Sequence, residues 1–262
     1  MIKKFKNIEK TLEYHELLMI RDLNNIENYN LPKGFKFVFW DNDACLQDWI
    51  NIHIETGEFN SVDKEALPIF KCFYSGFYEE LPLRCIFIEN NKGEKIATAT
   101  ITPANEFGFK CVIDWFAISP KAQGFKLSKP LLSKVLITAK KMGYKKILLH
   151  TQTNTWLAAK IYLDCGFKPY KTKSDKGWNI LKTITNHCKL EKFKSISYDE
   201  MYDNLMVKIE NELNKNHKNY NFSVWYINNR NDIYVREDNN FYEYKYFIEN
   251  NNIKLIKQNS NA

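Results

Sequence analysis

The 262-residue sequence has no C-x-x-C pair, no apolar run long enough to span a bilayer and no block of charge of one sign. Without paired spacing, its six cysteines predict neither a zinc site nor a disulfide framework, and we interpret them as buried thiols in a reducing compartment. No convincing internal repeat is present. These absences argue against a membrane-spanning helix, a disulfide scaffold and a repeat array.

The N-terminus also lacks the apolar core of a secretion signal. Residues Met1–Lys4 are basic enough to begin one, but four charged side chains interrupt the next ten residues, namely Lys6, Glu9, Lys10 and Glu13. The sequence therefore predicts a cytoplasmic protein.

Composition favours a folded protein with an ordinary charged surface. A hydrophobic share of 44% and an aromatic share of 15% argue against disorder. The net charge of +7 comes from lysines spread along the chain, so a solvated surface is favoured over a nucleic-acid footprint. The length suits one domain with an extension or two small domains.

The stretch Cys111–Tyr170 carries the clearest pattern. Cys111–Ile118 is typical of an apolar strand, and the loop Ser119–Phe125 leads into an amphipathic helix. A second strand over Lys146–His150 precedes a short helix that ends at Gly166. A loop between a strand and a helix places backbone N–H groups at a helix N-terminus, which predicts an anion site for a phosphorylated ligand.

Before this stretch, the pattern predicts a strand, another strand and two helices. Tyr14–Asp22 fits a strand or a short helix, with the strand favoured, and Phe35–Trp40 is typical of a first core strand. One helix is predicted to follow Asp43 and end near Gly57, and another to start around Ser61.

Further strands complete a mixed α/β order. Leu83–Glu89 and Lys95–Thr102 predict a hairpin, and Phe109–Ile118 predicts the next antiparallel strand. Trp178–His187 fits either a helix or the last strand of the sheet. The fold class predicted is α/β, with a mixed, mostly antiparallel central sheet flanked by helices on both faces.

The C-terminal part has a different texture. A capping-box pattern at Ser197–Glu200 predicts a helix to about Leu213, and short aromatic runs after Asn214 predict a small antiparallel meander. We therefore predict two units, residues 1–185 and an α+β extension over residues 186–262. Three tyrosines share one face of a meander strand, which fits a dimer or acceptor surface or an aromatic core: Tyr242, Tyr244 and Tyr246.

Two motifs resemble the GNAT family of acetyl-CoA-dependent N-acetyltransferases. Gln123–Ser128 aligns with the family's Gln/Arg-x-x-Gly-x-Gly/Ala signature, although Lys126 stands where the family has glycine. Thr155–Phe167 resembles Asn-x-x-Ala-x-x-x-Tyr-x-x-x-Gly-Phe, with Thr155 in place of asparagine and fit to be a helix N-cap. The resemblance covers roughly the first 185 residues.

The resemblance implies that acetyl-CoA is the co-substrate and that no metal is required. The pyrophosphate of acetyl-CoA is then expected on the loop that follows the strand Cys111–Ile118. The implied binding residues are Gln123, Gly124, Phe125, Lys126, Leu127 and Ser128, with Thr155. Lys126 has two interpretations: its ammonium pairs with a phosphate, or it distorts the loop and weakens binding.

The resemblance also implies where the acyl group is activated. In the family, the acyl-pantetheine arm lies between two strands that splay apart, which points to the main chain of Phe116, Ala117 and Ile118, with an N–H there as oxyanion donor. Tyr162 takes the place of the family's general acid, and the alternative is a packing role.

The general base is open. The glutamate of the histone-type branch aligns with Val112, whereas Asp114 lies one step along the same strand face and is the catalytic candidate, unless it has a structural partner. Glu55 and Glu58 end the first of two helices that form the acceptor wall in the family, and either is placed to receive or neutralise an amine. His150 is interpreted as a core or cap histidine rather than a base.

The sequence thus predicts an acyl-CoA-dependent N-acetyltransferase that transfers acetyl to a primary amine by direct attack. The acceptor is a small molecule or a peptide of unidentified type, a homodimer is compatible with the tyrosine face, and no membrane or nucleic-acid partner is indicated. One alternative is an enzyme that uses another acyl-CoA, and the other is a non-catalytic acyl-CoA-binding or interaction module on the same scaffold.

Overall fold

A computed structural model describes residues 9, 11–103, 111–170, 175–191, 205–215, 222–227, 232–237, 240–249 and 252–258. The strands are β1 (Glu16–Asp22), β2 (Phe35–Phe39), β3 (Cys85–Asn90), β4 (Lys95–Pro103), β5 (Cys111–Ile118), β6 (Lys146–Gln152), β7 (Lys168–Tyr170), β8 (Phe222–Ile227), β9 (Asp232–Glu237), β10 (Asn240–Glu249) and β11 (Asn252–Lys257). The α-helices are α1 (Ala44–Thr56), α2 (Leu67–Tyr74), α3 (Leu81–Arg84), α4 (Ser128–Lys141), α5 (Trp156–Asp164), α6 (Asp175–Thr185) and α7 (Leu205–Lys215).

The main sheet has seven strands in the order β2-β3-β4-β5-β6-β1-β7. Every neighbouring pair is antiparallel except β5 and β6, which are parallel and joined by the crossover through α4. The predicted mixed, mostly antiparallel sheet is confirmed. So is the hairpin between β3 and β4, which turns at Gly93 with a φ of 79° that glycine adopts without strain.

The N-terminal strand β1 lies inside the sheet, between β6 and β7. Leu17 and Met19 face one core while Leu18 and Ile20 face the other side, so the strand is apolar on both faces. The other candidate for a late sheet strand, Trp178–His187, is instead part of helix α6.

Helices cover both faces of the sheet. The face carrying α4, α5 and α6 holds the larger core, in which Leu131, Val135 and Trp178 are fully buried. The face carrying α1 and α2 buries a second core around Trp49 and Phe70.

The second wall helix is broken, contrary to the single helix predicted from Ser61. A π-helical turn (Val62–Ala66) precedes α2, and a 3-10 segment (Ser75–Glu80) separates α2 from α3. Pro68 and Pro82 lie in the first turns of α2 and α3, where the missing proline N–H costs least, so each proline marks a restart.

The C-terminal strands form a separate four-stranded antiparallel sheet in the order β11-β10-β9-β8. This confirms the predicted meander. Tyr244 is 8% exposed, which favours a packing role there, whereas the side chain of Tyr246 and the capping box at Ser197–Glu200 lie outside the described residues. The boundary after residue 185 stays a prediction, and Leu190 packs in the core beside α6.

Five of the six cysteines are buried free thiols, as expected, but Cys188 is exposed, so the prediction that all are buried is wrong for that residue. Cys188 lies in a short 3-10 segment beyond α6, past the main helical layer. None of the described helices is long and apolar enough to cross a membrane.

Candidate functional site

The parallel strands β5 and β6 pair over three residues and then separate. Their register runs from Cys111 opposite Ile147 to Ile113 opposite Leu149. Beyond that point β5 stays paired with β4 as far as Ile118, while β6 stays paired with β1. The edges of β5 and β6 that face each other beyond Ile113 are therefore unpaired, and an extended ligand has backbone groups to bind there.

The main chain of Ile118 faces this gap. Ser119 donates its N–H to the Ile96 carbonyl at 2.9 Å, which makes those two residues a hydrogen-bonded pair of the ladder. Hydrogen-bonded and non-hydrogen-bonded pairs alternate in antiparallel sheets, so Ile118, opposite Ala97, directs its N–H away from β4. By the same alternation, Ala117 directs its N–H towards β4.

A β-bulge bends β5 at the start of the gap. Asp114 and Ala117 lie opposite Thr100 and Thr98, so β5 has one extra residue there. Trp115, inside the bulge, has a φ of 53°, which is a rare conformation for a bulky residue. Phe116 also falls within the bulge. Strained backbone of this kind is concentrated at functional sites.

The loop after β5 presents free backbone donors at the start of α4. No group in the described part of the chain accepts a hydrogen bond from the backbone N–H of Gly124, Phe125, Lys126 or Leu127. Leu127 is buried and anchors the loop, whereas Phe125 is 52% exposed and packs edge to face on Phe35. Together with the N-terminus of α4 at Ser128, these donors suit an anion.

Lys126 keeps the backbone conformation that a glycine would adopt. Its φ is 59°, and Gly124 two residues earlier has a φ of 92°. The loop geometry therefore accommodates lysine at some conformational cost, while the exposed side chain remains available at the surface of the loop. The two interpretations of the substitution, an ammonium that pairs with a phosphate and a distorted loop that binds the cofactor less tightly, both stay predictions.

Glu55 holds the loop against the end of α1. Its carboxylate accepts hydrogen bonds from the Ser119 hydroxyl and, at 3.0 Å, from the Lys121 ammonium. Ser119 is fully buried. Glu55 thus has a structural partner on each oxygen and serves as an anchor of the loop.

Tyr162 lies on α5 with its ring against the end of β5. The Tyr162 and Phe116 rings meet edge to face with centroids 5.9 Å apart, and Tyr162 is only 6% exposed. Burial raises the pKa of the Tyr162 phenol well above its ordinary value, and the charge of Glu58 raises it further. The phenol is therefore protonated at neutral pH, as a proton donor must be.

Thr155 occupies the N-cap position of α5, as predicted from the motif, but makes no side-chain capping bond. Its hydroxyl instead bonds back to the Gln152 carbonyl at 3.1 Å and lies 3.3 Å from the Thr151 hydroxyl. Residues Thr153–Thr155 form a 3-10 turn before α5, and the Thr155 hydroxyl is directed towards the residue that precedes this turn.

Asp114 is placed under the α1 and α2 layer rather than beside Tyr162. Burial raises the pKa of its carboxyl to about 6. Its charge also raises the pKa of the buried phenol of Tyr74, which lies in that layer. Asp114 is therefore a half-buried carboxyl that faces the α1 and α2 layer.

Two accessible titratable groups lie in crowded surroundings. Glu58 is exposed, yet desolvation raises the pKa of its carboxyl, a combination typical of a cleft. His150 is also exposed, which leaves the cap alternative of its core-or-cap interpretation, and desolvation lowers its pKa. No described residue pairs with the Glu58 carboxylate.

Sequence reasoning noted Glu58 but missed its proximity to Tyr162, and it missed the aromatic side chains packed around Trp115. Aromatic spacing on α1 and α2 was visible as a core pattern, but nothing in the sequence marked the bulge that turns Trp115 towards those helices.

Among the described residues, no cluster of three or more His, Cys, Asp or Glu side chains is arranged to hold a metal ion.

Comparison with known proteins finds similarity to acetyltransferases. Residues 46–167 match the family model described as acetyltransferase (GNAT) family. A GCN5-related N-acetyltransferase from Sphaerobacter thermophilus shares the fold, with a TM-score of 0.50 and 13% identity over 62% of this chain and 51% of that one. The match thus spans about half of that protein.

A second solved structure has a lower TM-score. The GCN5-related N-acetyltransferase from Kribbella flavida has a TM-score of 0.43 and 15% identity over 60% of this chain and 56% of that one. No curated protein matches the sequence.

Proposed function

Because residues 46–167 are an acetyltransferase domain of the GNAT family, we propose that this protein transfers acetyl from acetyl-CoA to a primary amine. The fold supports acyl transfer in general. The observation that carries the finer proposal is the separation of β5 and β6 beyond Ile113, with the Ile118 N–H on one side of the gap and Tyr162 near the end of the same strand.

The loop after β5 and the gap between β5 and β6 are suited to different parts of acetyl-CoA. The free N–H groups of Gly124 to Leu127 are suited to the pyrophosphate, with the Lys126 ammonium adding charge and Gln123, Phe125 and Ser128 shaping the loop. The main chain from Phe116 to Ile118 is suited to the extended acyl arm, and Thr155, at the N-cap position of α5, is the further residue that we propose contacts the co-substrate.

In the proposed reaction the amine nitrogen attacks the thioester carbonyl carbon and forms the new C–N bond. The Ile118 N–H donates to the oxyanion that develops. When the C–S bond breaks, Tyr162 gives its phenolic proton to the leaving sulfur. The products are the acetylated amine and CoA thiol, and the phenolate regains a proton from solvent.

The proton lost by the amine needs an acceptor. Glu58 suits this step because its charge acts on Tyr162 and its carboxylate is accessible. Asp114 remains the other candidate, because it faces the α1 and α2 layer and its carboxyl has a pKa of about 6. Glu55 does not suit the step, since Ser119 and Lys121 already occupy its oxygens.

The test is a calorimetric titration of the full chain with acetyl-CoA, followed by a thiol-release assay with a panel of primary amines. Binding together with amine-dependent thiol release supports the proposal. Binding of acetyl-CoA without thiol release for any amine favours the non-catalytic acyl-CoA module instead. If acetyl-CoA does not bind, the proposal of acetyl transfer is rejected.

A further inference from the structure

Five aromatic side chains form a continuous surface beside the bulge of β5, which we call the aromatic wall: Trp49, His53, Phe59, Phe73 and Trp115. Trp115 is at its centre. Its ring centroid lies 5.2 Å from that of Phe59 and 5.2 Å from that of Phe73. On its other side the His53 and Trp49 centroids lie at 5.3 Å and 5.6 Å.

The wall has an accessible part and a buried part. Trp49 and His53 are fully buried, and Phe59 nearly so, whereas Phe73 and Trp115 are only half-buried. The packing of these rings holds Trp115 in its left-handed backbone conformation, which the chain would otherwise leave. Part of two aromatic rings is thereby kept at the surface next to the gap.

Buried polar atoms in the wall have no partner in the described part of the chain. They include both ring nitrogens of His53 and the indole N–H of Trp115. Burial lowers the pKa of His53 to about 3, so the imidazole is neutral and adds no positive charge to the wall. A neutral aromatic surface attracts a cation through its π faces and does not repel it.

Among the described residues, an exposed carboxylate without a partner lies next to the wall in the sequence. Glu58 directly precedes Phe59 and has no partner among the described residues, while Glu55 is already paired with Lys121. Asp114 faces the same helical layer, but its side chain is half-buried and its carboxyl is desolvated. One accessible carboxylate next to aromatic rings matches one ammonium group on an apolar body, whereas a polycation would leave its further charges unpaired here.

We infer that the acceptor is a monoamine whose ammonium pairs with Glu58 and whose aryl or alkyl body packs on Phe73 and Trp115. The inference rests on the proposed function in treating this amine as the acceptor, but it concerns binding and is tested without acetyl-CoA. Phenethylamine is the matching probe, and spermidine is the polycationic competitor.

The experiment is calorimetric titration of the full chain with each amine alone. We expect phenethylamine to bind more tightly than spermidine. Glu58→Gln should weaken phenethylamine binding about tenfold or more, because it removes a charge-assisted hydrogen bond. Phe73→Leu should weaken it about three- to tenfold, the usual worth of an aromatic contact.

Tyr78→Leu is the matched control, since Tyr78 is a half-exposed ring of the same helical layer that packs on Trp40 and Phe70 rather than on Trp115. It should leave both affinities unchanged. Tighter binding of spermidine by the wild type overturns the inference and needs no variant to fold. Equal affinities for phenethylamine in Glu58→Gln and Tyr78→Leu overturn it as well.

The two proposals fail separately. If acetyl-CoA does not bind, the proposal of acetyl transfer is rejected. The amine titration still tests whether the aromatic wall binds a monoamine. If acetyl-CoA binds and spermidine is the better acceptor, only the assignment of the acceptor class falls.

Discussion

The rings of Phe116 and Tyr162 meet edge to face at 84°, with centroids 5.9 Å apart. This contact joins β5, at the edge of the strand gap, to the helix that carries the proposed proton donor. Phe167, 6.0 Å away, packs on the other part of the Tyr162 ring and fixes it further. The phenol is therefore oriented by packing before any ligand arrives.

Replacing Tyr162 with phenylalanine should separate chemistry from binding. The ring contacts remain, so the Kd for acetyl-CoA should stay within about twofold, while kcat should fall about 10²- to 10⁴-fold because the leaving thiolate loses its proton donor. Steady-state kinetics and calorimetry measure the two effects. Tyr78→Phe removes a phenol that bonds to Asp43 on the far side of α1 and should leave kcat unchanged; equal kcat values for the two variants would contradict the assignment.

Two substitutions at Lys126 separate its ammonium from its backbone. Lys126→Ala and Lys126→Gly both remove the charge and should weaken acetyl-CoA binding about three- to tenfold. Only glycine relieves the positive φ, so Lys126→Gly should be about 1 kcal/mol more stable than Lys126→Ala. Calorimetry and thermal unfolding measure these effects. Wild-type affinity in Lys126→Ala would show that the ammonium does not reach a phosphate.

Asp114 should make the protein less stable as the pH rises. Its folded pKa of about 6 lies above the ordinary value of 3.8, so folding favours the protonated form, and stability declines between about pH 4 and pH 6. At about 1.4 kcal/mol per pKa unit, the cost at neutral pH is at most about 3 kcal/mol. Asp114→Asn should raise the Tm relative to wild type at pH 8 and raise it much less at pH 4.5. An equal shift at both pH values would refute the linkage.

Ser119 should contribute measurably to stability through Glu55. Its buried hydroxyl donates to a carboxylate, and such bonds are worth about 1.5–3 kcal/mol. Ser119→Ala should lower the free energy of unfolding by about that amount, and acetyl-CoA binding should weaken because the loop loses its anchor. Denaturant unfolding measures the first effect. Ser75→Ala, at an exposed site, should change stability by less than about 0.5 kcal/mol, and a similar value for Ser119→Ala would argue against the anchor.

The sequence by itself determined the local elements and the position of the loop that we propose binds the pyrophosphate. Apolar alternation in Cys111–Ile118, the turn residues around Gly93 and the aromatic runs of the meander act over a few residues, so they can be recognised without a tertiary structure. The two motifs likewise placed Lys126 and Tyr162, because their spacing reflects one loop and one short helix.

Only the tertiary structure decided the contacts between distant parts of the chain. The position of β1 between β6 and β7, the bulge at Trp115, the anchoring of Ser119 by Glu55 and the effect of Glu58 on Tyr162 all depend on how the strands are ordered and how the helices pack on them. Such contacts join residues that are far apart in sequence, and no local period specifies them. The catalytic role of Asp114, inferred from its strand face, stays a prediction. Its desolvation near Tyr74 could not be predicted, because it is set by helices that precede Asp114 by some 40 residues or more.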